Sequence, residues 1–165
     1  MVDRYPRLEP ASGMVFESTK TYTHEQGLSC AFRQWRAQGH SHCSYLHGYA
    51  ISVTITFGSH RLDERNWVQD FGGLKDVKEY LANTFDHKTL VAKDDPMYDE
   101  LSKFHQFGII DMVTVDHVGC EAFAKMIWDF IQLHVLRGDT SRVWVQKVEV
   151  REHAGNSAIY RRQHG

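Results

Sequence analysis

The amino-acid sequence predicts an α+β fold, a four-stranded antiparallel sheet in the order ββααββ with two helices on one face. Three observations carry this reading. Apolar and polar residues alternate near both ends of the chain with the period of half-buried strands, two middle segments have the 3.6-residue period of amphipathic helices, and no segment repeats.

Residues 14–22 and 28–35 read as two arms of one interrupted first strand, broken at 24–27. Residues 50–57 supply the second strand, where Ile51, Val53, Ile55 and Phe57 alternate with Ser52, Thr54 and Thr56. Leu74, Val77, Leu81 and Phe85 recur at helical spacing and define the first helix. Phe123, Met126, Ile127, Phe130 and Ile131 define the second, opposite Lys125, Asp129 and Gln132. Alternation returns over 142–152, with Trp144, Val148 and Val150 on one face. Residues 157–161 then close a hairpin after the turn residues Ala154, Gly155 and Asn156. The connection over 91–117 is long enough to be functional or mobile, and a short helix is expected in it around 98–105. Trp67, Trp128 and Trp144 lie on periodic faces and are expected in the core, as are Cys30 and Cys120, whereas Trp35 is placed to line a pocket.

With 165 residues, 42% hydrophobic and 12% aromatic, the chain holds enough apolar material for one domain with its own core. A formal charge of -2 leaves no electrostatic footprint for nucleic acid or an anionic membrane. Cys30, Cys43 and Cys120 cannot all pair with one another and none stands in C-x-x-C spacing, which points to a reduced, cytoplasmic setting. Charges occupy the N-terminal region where a signal peptide has its apolar core, and no apolar run reaches membrane-spanning length.

Chemistry concentrates in CSYLHGY, residues 43–49, where a thiol precedes a His by four positions at the start of an apolar strand. His47 and Tyr49 share the parity of the buried strand positions, so both are expected to point inward at the end of a sheet, where a pocket can form.

That segment and five others resemble, in order, the 6-pyruvoyl-tetrahydropterin synthase and 6-carboxytetrahydropterin synthase family, which has the tunnelling fold. SCAFR (29–33) is similar to the family's SAAHR, CSYLHGY to its C-x-x-L-H-G-H, and WVQDFGGLK (67–75) to its apolar-x-D-F-x-x-L-K. FDHKTL (85–90) is similar to L-D-H-x-x-L, GCEAFAKMIWD (119–129) to T-x-E-x-x-A-x-x-I-W, and VREHAGNSAIY (150–160) to a closing V-x-E-T with a downstream Tyr. The resemblance implies a single pterin-synthase-like domain over 1–165. It further implies a small pterin-like substrate and a homo-oligomer of stacked rings with active sites between subunits.

Carried over by position, the resemblance makes Cys43 the catalytic thiol and Asp86 with His87 the pair that completes its proton-transfer triad. Enolisation beside a carbonyl needs such a positioned acid and base. Glu152 falls on the carboxylate that holds the guanidine-like edge of the pterin, where two N–H donors match two carboxylate oxygens. Its parity with Val148 and Val150 places an acid at the end of an apolar face, independently of the resemblance. Glu121 falls on a second substrate-binding acid, and its place at the start of a helix also suits it to stabilise the helix dipole.

The metal site departs from the family. Zinc there is bound by three His, and the corresponding positions here are Phe32, His47 and Tyr49, so only His47 is retained. The site is expected to hold no zinc, with Phe32 and Tyr49 packed together in its place and His47 hydrogen-bonded to Tyr49 or a loop carbonyl. A rearranged site drawing on Cys30, His40, His42 and Cys43 is the alternative.

Two functional classes follow. The first is a pterin-type lyase acting on a dihydroneopterin-triphosphate-like substrate through Cys43, Asp86 and His87, with altered or absent metal dependence. The second is a non-catalytic paralogue that binds a pterin or purine through Glu152 and Glu121.

Overall fold

The computed structural model describes residues 7–23, 25, 27–137 and 141–163, so part of the break expected at 24–27 lies outside the described residues. Eight strands and three α-helices follow one another as β1 (Phe16–Tyr22), β2 (Ser29–Phe32), β3 (His47–Ala50), β4 (Ser52–Ser59), α1 (Lys75–Phe85), β5 (Lys88–Ala92), α2 (Tyr98–Gln106), β6 (Met112–Val115), α3 (Cys120–Phe130), β7 (Val143–His153) and β8 (Asn156–Arg161).

The expected antiparallel sheet is present in the order β1-β4-β7-β8. Its core-facing row is set by register: Val53 opposes Val150, Ile55 opposes Val148 and Phe57 opposes Val145, all six fully buried. Cross-strand pairs of β-branched and aromatic residues stabilise such a sheet by roughly 0.2–1 kcal/mol each beyond Ala pairs. Leu74, Val77, Leu81 and Phe85 of the α1 region and Phe123, Ala124 and Ile127 of α3 complete the same core cluster. Tyr80 and Phe130 stack at 3.8 Å where the two helical segments meet.

A second sheet, not anticipated from the pattern, has the order β3-β2-β5-β6. The two arms of the interrupted first strand therefore belong to different sheets: 14–22 supplies β1, and 28–35 supplies β2. Likewise β3 pairs with β2 in the second sheet, and the chain crosses at Ile51 into β4 of the first. β5 and β6 run parallel to β2, and Thr89, Leu90, Val91 and Ala92 are all buried. Short apolar runs without alternation are what parallel strands covered on both faces require. The long connection resolves into the rest of β5, the short helix α2 and β6.

Trp144 is buried as expected but on the opposite face from Val148 and Val150, and Trp67 lies outside the core. Between Thr56/Lys147 and Phe57/Val145 the register slips by one, leaving Gln146 as the extra residue of a β-bulge. The bulge reverses the face parity of β7, so Val145 joins Val148 and Val150 inside, and Trp144 lies on the opposite face against Gly58. A Cβ on Gly58 would lie 2.6 Å from Trp144 Nε1. Trp67 is 47% exposed, with the Arg65 guanidinium over its ring, and is not a core residue. Trp128 packs partly buried against the core, as expected. No helix among the described residues is long and apolar enough to cross a membrane.

Candidate functional site

The hairpin β7–β8 builds one wall of the site. A second register shift, between Arg151/Ser157 and His153/Asn156, leaves Glu152 as a bulged residue where β7 ends. Bulges re-aim side chains, and this one leaves the Glu152 carboxylate 24% exposed. Asn156 Nδ2 donates to Glu152 Oε1 at 2.9 Å, and His153 Nε2 lies 3.5 Å from the same oxygen. Glu121, in the first turn of α3, faces the same space. Together with Cys120, Gly155, Asn156, Ser157 and Ala158, the two acids line a cavity of about 370 Å³. Burial, with Glu152 and Glu121 nearby, pushes the Cys120 thiol up to about 12. Cys120 is buried as expected, but it also lines this cavity, a role that packing considerations did not indicate.

The segment equivalent to the family's zinc ligands lies on β3, paired with β2. Cys30 opposes Tyr49 and Phe32 opposes His47, so these four side chains share one face. Phe32 and Tyr49 stack with centroids 4.2 Å apart and planes 13° from parallel. Phe32 is buried and meets Phe123 edge-on at 5.1 Å, which ties the stack to the core. His47 Nδ1 lies 2.6 Å from the Tyr45 carbonyl oxygen, and the Tyr49 hydroxyl contacts His47 Nε2. The parity of His47 and Tyr49 is as expected, but only Tyr49 is half-buried; His47 is exposed. Burial, then the proximity of Cys43, Glu152, Cys120 and Cys30, pushes the Tyr49 phenol up to about 12.

These residues do not fit a zinc ion. Phe32 offers no donor atom, Tyr49 is held as a neutral phenol, and both nitrogens of His47 are engaged by protein oxygens. The alternative set also lacks convergence: among the described residues no three His, Cys, Asp or Glu side chains group as a metal site would. Cys30 is buried, and burial with Cys120 beside it pushes its thiol up to about 12.

The proposed proton-transfer residues fall into two separate places. Cys43 lies in a 3₁₀ turn (His42–Ser44) with its thiol-bearing residue exposed, its N–H donating to Ser41 Oγ at 3.2 Å and its carbonyl accepting from Gln34 N at 2.7 Å. Asp86 and His87 form the α1–β5 junction. There His87 Nδ1 and Asp86 Oδ1 are 2.7 Å apart and His87 N donates to Ser29 O at 2.7 Å. Among the described residues no hydrogen bond or ion pair joins Cys43 to the Asp86–His87 pair. His87 has a left-handed φ of 56°, unusual for a non-glycine residue, and its side chain is 85% exposed. Trp35 is partly buried and donates from Nε1 to Asp94 Oδ1 at 3.2 Å, at the edge of a small separate cavity of about 80 Å³.

Two acids and a thiol, Glu121, Glu152 and Cys120, thus line one cavity on a two-sheet α+β frame. The chain belongs to the 6-pyruvoyl tetrahydropterin synthase family, whose sequence profile matches residues 21–163. It is 32% identical over 124 residues to the 6-carboxy-5,6,7,8-tetrahydropterin synthase of Aquifex aeolicus, covering 73% of this chain and 76% of that protein. An uncharacterized protein from Wolinella succinogenes superposes with a TM-score of 0.75 at 18% identity, covering 92% of this chain and 100% of the other. The 6-pyruvoyl tetrahydropterin synthase of Plasmodium vivax superposes with a TM-score of 0.63 at 16% identity, covering 92% and 99%.

Proposed function

We propose that this chain is a 6-carboxytetrahydropterin synthase-like lyase acting on a dihydroneopterin-triphosphate-like substrate. The observation that carries the reading is Glu152, bulged out of β7, oriented by Asn156 and opening with Glu121 into one cavity. A carboxylate so placed accepts two N–H donors from the amino-pyrimidinone edge of a pterin, and the charge roughly doubles the strength of each bond. Cys43 serves as the base that takes a proton from carbon beside a carbonyl. In the pair Asp86–His87, the imidazole Nδ1–H donates to Asp86, which leaves Nε2 to exchange the proton.

The exposed His87 favours a homo-oligomer in which the Cys43 half-site of one copy receives Asp86 and His87 of another. Edge strands such as β1 and β8 supply the open hydrogen-bonding groups through which copies can pair. The alternative, a non-catalytic pterin- or purine-binding paralogue, draws on the unsuitability of Phe32 and Tyr49 for zinc.

Turnover of dihydroneopterin triphosphate by the purified protein, with product analysis, separates the two readings. Cys43→Ala and His87→Ala should each be inactive while retaining ring binding. Mixing and reassociating the two variants should restore part of the activity, because some interfaces then carry both wild-type halves. Ring binding without turnover under all conditions would select the paralogue, and a monomer in sedimentation at micromolar concentration would sink the shared site.

A further inference from the structure

The cavity at the start of α3 and the β7–β8 hairpin is lined by two carboxylates and by no Lys, Arg or His among the described residues. A carboxylate only accepts hydrogen bonds, so a ligand that fills this space must bring donors to both. The two acids are held differently. Glu152 Oε1 accepts from Asn156 Nδ2 at 2.9 Å and has His153 Nε2 3.5 Å away, which fixes the way the group faces. Glu121, in the first turn of α3, has neither a hydrogen bond nor an ion pair among the described residues. Gly119, at φ +113°, puts no side chain beside it, and a Cβ there would lie 3.6 Å from Glu121 Oε2. The Cys120 thiol feels both acids: burial, then Glu152, then Glu121 push it up to about 12, so it stays neutral and offsets neither charge. Glu121 is thus an acceptor on this cavity with its partner still to come.

Resting on the reading of this cavity as a pterin site, we propose that Glu121 selects the reduced ring, accepting the N8–H that a 7,8-dihydropterin has and an oxidised pterin lacks. Glu152 takes the N–H donors of the amino-pyrimidinone edge, which are the same in both oxidation states. With that edge engaged, the remaining ring nitrogens of an oxidised pterin, N1, N5 and N8, are all acceptors, and a second carboxylate meets a lone pair. Reduction of the 7,8 bond turns N8 into an N–H donor. A repulsive contact then becomes a charge-assisted hydrogen bond, the stronger kind. Sites built to pair a polar group reject a ligand that lacks the partner far better than sites that test apolar shape. The cavity, about 370 Å³, lies in the range of small-molecule sites. Its two acids therefore divide the recognition: Glu152 reads the kind of ring and Glu121 its oxidation state.

The test is anaerobic calorimetry with two side-chain-free probes, pterin and 7,8-dihydropterin, on wild type, Glu121→Gln, Glu121→Leu and Glu152→Gln, with a melting curve for each protein. Wild type should bind the dihydro ring at least about tenfold more tightly, the lower end for a hydrogen bond to a charged group. Glu121→Gln can turn either its oxygen or its NH₂ toward N8. It should therefore bind oxidised pterin more tightly than wild type does and hold the two probes within about threefold of each other. That gain is a result which loss of structure alone cannot produce. Glu121→Leu should level the preference as well, whereas Glu152→Gln should weaken both probes and keep their order. Equal affinity of wild type for the two probes, or the wild-type ratio persisting in both Glu121 variants, would overturn the proposal and leave the pterin reading standing. If wild type bound neither probe, or Glu152→Gln bound both as wild type does, the pterin reading would fail and the proposal with it.

Discussion

Replacing Glu152 by Gln removes the charge of the ring anchor at nearly constant shape. In the protein, Oε1 is already committed to Asn156 Nδ2 at 2.9 Å, with His153 Nε2 close by. The substituted side chain satisfies Asn156 only if its carbonyl oxygen takes the place of Oε1, which turns the amide NH₂ into the cavity. A pterin edge that presents two N–H donors then meets a donor where it met an acceptor. One charge-assisted hydrogen bond is lost, worth about 1.5–3 kcal/mol, and a buried donor goes unpaired at about 1–3 kcal/mol. The sum is at least about 2.5 kcal/mol, so affinity should fall roughly sixtyfold or more. Fluorescence titration or calorimetry with a side-chain-free pterin measures this directly. The melting temperature should barely move, because the Asn156 contact survives. Ring affinity within about threefold of wild type, in a protein with an unchanged melt, would refute the assignment of Glu152.

Gly27→Ala should damage catalysis through Asp86. Gly27 has φ +100° and an added Cβ would lie 2.9 Å from Asp86 Oδ2, so the variant carries backbone strain of about 1–2 kcal/mol and displaces the carboxylate that orients His87. A lower melting temperature and a lower turnover number with unchanged ring binding are expected; an unchanged turnover number would separate Asp86 from the chemistry. Asp95, buried, accepts from Arg33 Nε and Nη2 at 2.8 Å each and from Met97 N at 2.8 Å. Burial pushes its carboxyl up, but the Arg33 bond, the Met97 N–H and the Arg33 charge outweigh this and hold it below the usual carboxylate value. The folded pKa is thus depressed relative to the unfolded one of about 3.9, so the stabilisation is complete above the unfolded value and is lost as pH falls through the folded one. Asp95→Asn should cost about 3 kcal/mol at pH 7 by denaturant unfolding, and the gap to wild type should shrink in acid. An equal gap at pH 7 and in acid would show that the charge contributes nothing.

The helices α1 and α3 and the strands β4 and β7 were legible because each buries one face over many residues, and a one-sided face writes its period into the sequence. Cys43, His47, Asp86, His87, Glu121 and Glu152 were singled out only through motif positions of the resemblance, and the contact of Phe32 with Tyr49 was expected from their places at two of the family's zinc-ligand positions on adjacent strands. β5 was not, because a five-residue strand buried on both faces shows no alternation, and β6 was not, because four residues are too short to establish a period; parallel pairing is also a relation between distant segments. The assignment of β1 and β2 to different sheets is a choice of partner strand, which no local pattern encodes. The bulge at Gln146 turns Trp144 to the opposite face although the residues themselves read as one continuous strand. Residue identity determined which groups can accept, donate or relay a proton. Only the tertiary structure decided that Glu152 is bulged and held by Asn156, that Glu121 and Glu152 line one cavity, and that Phe32 and Tyr49 stack. Those are distances across strand pairings and bulges, set by register and packing rather than by any neighbouring residue in the chain.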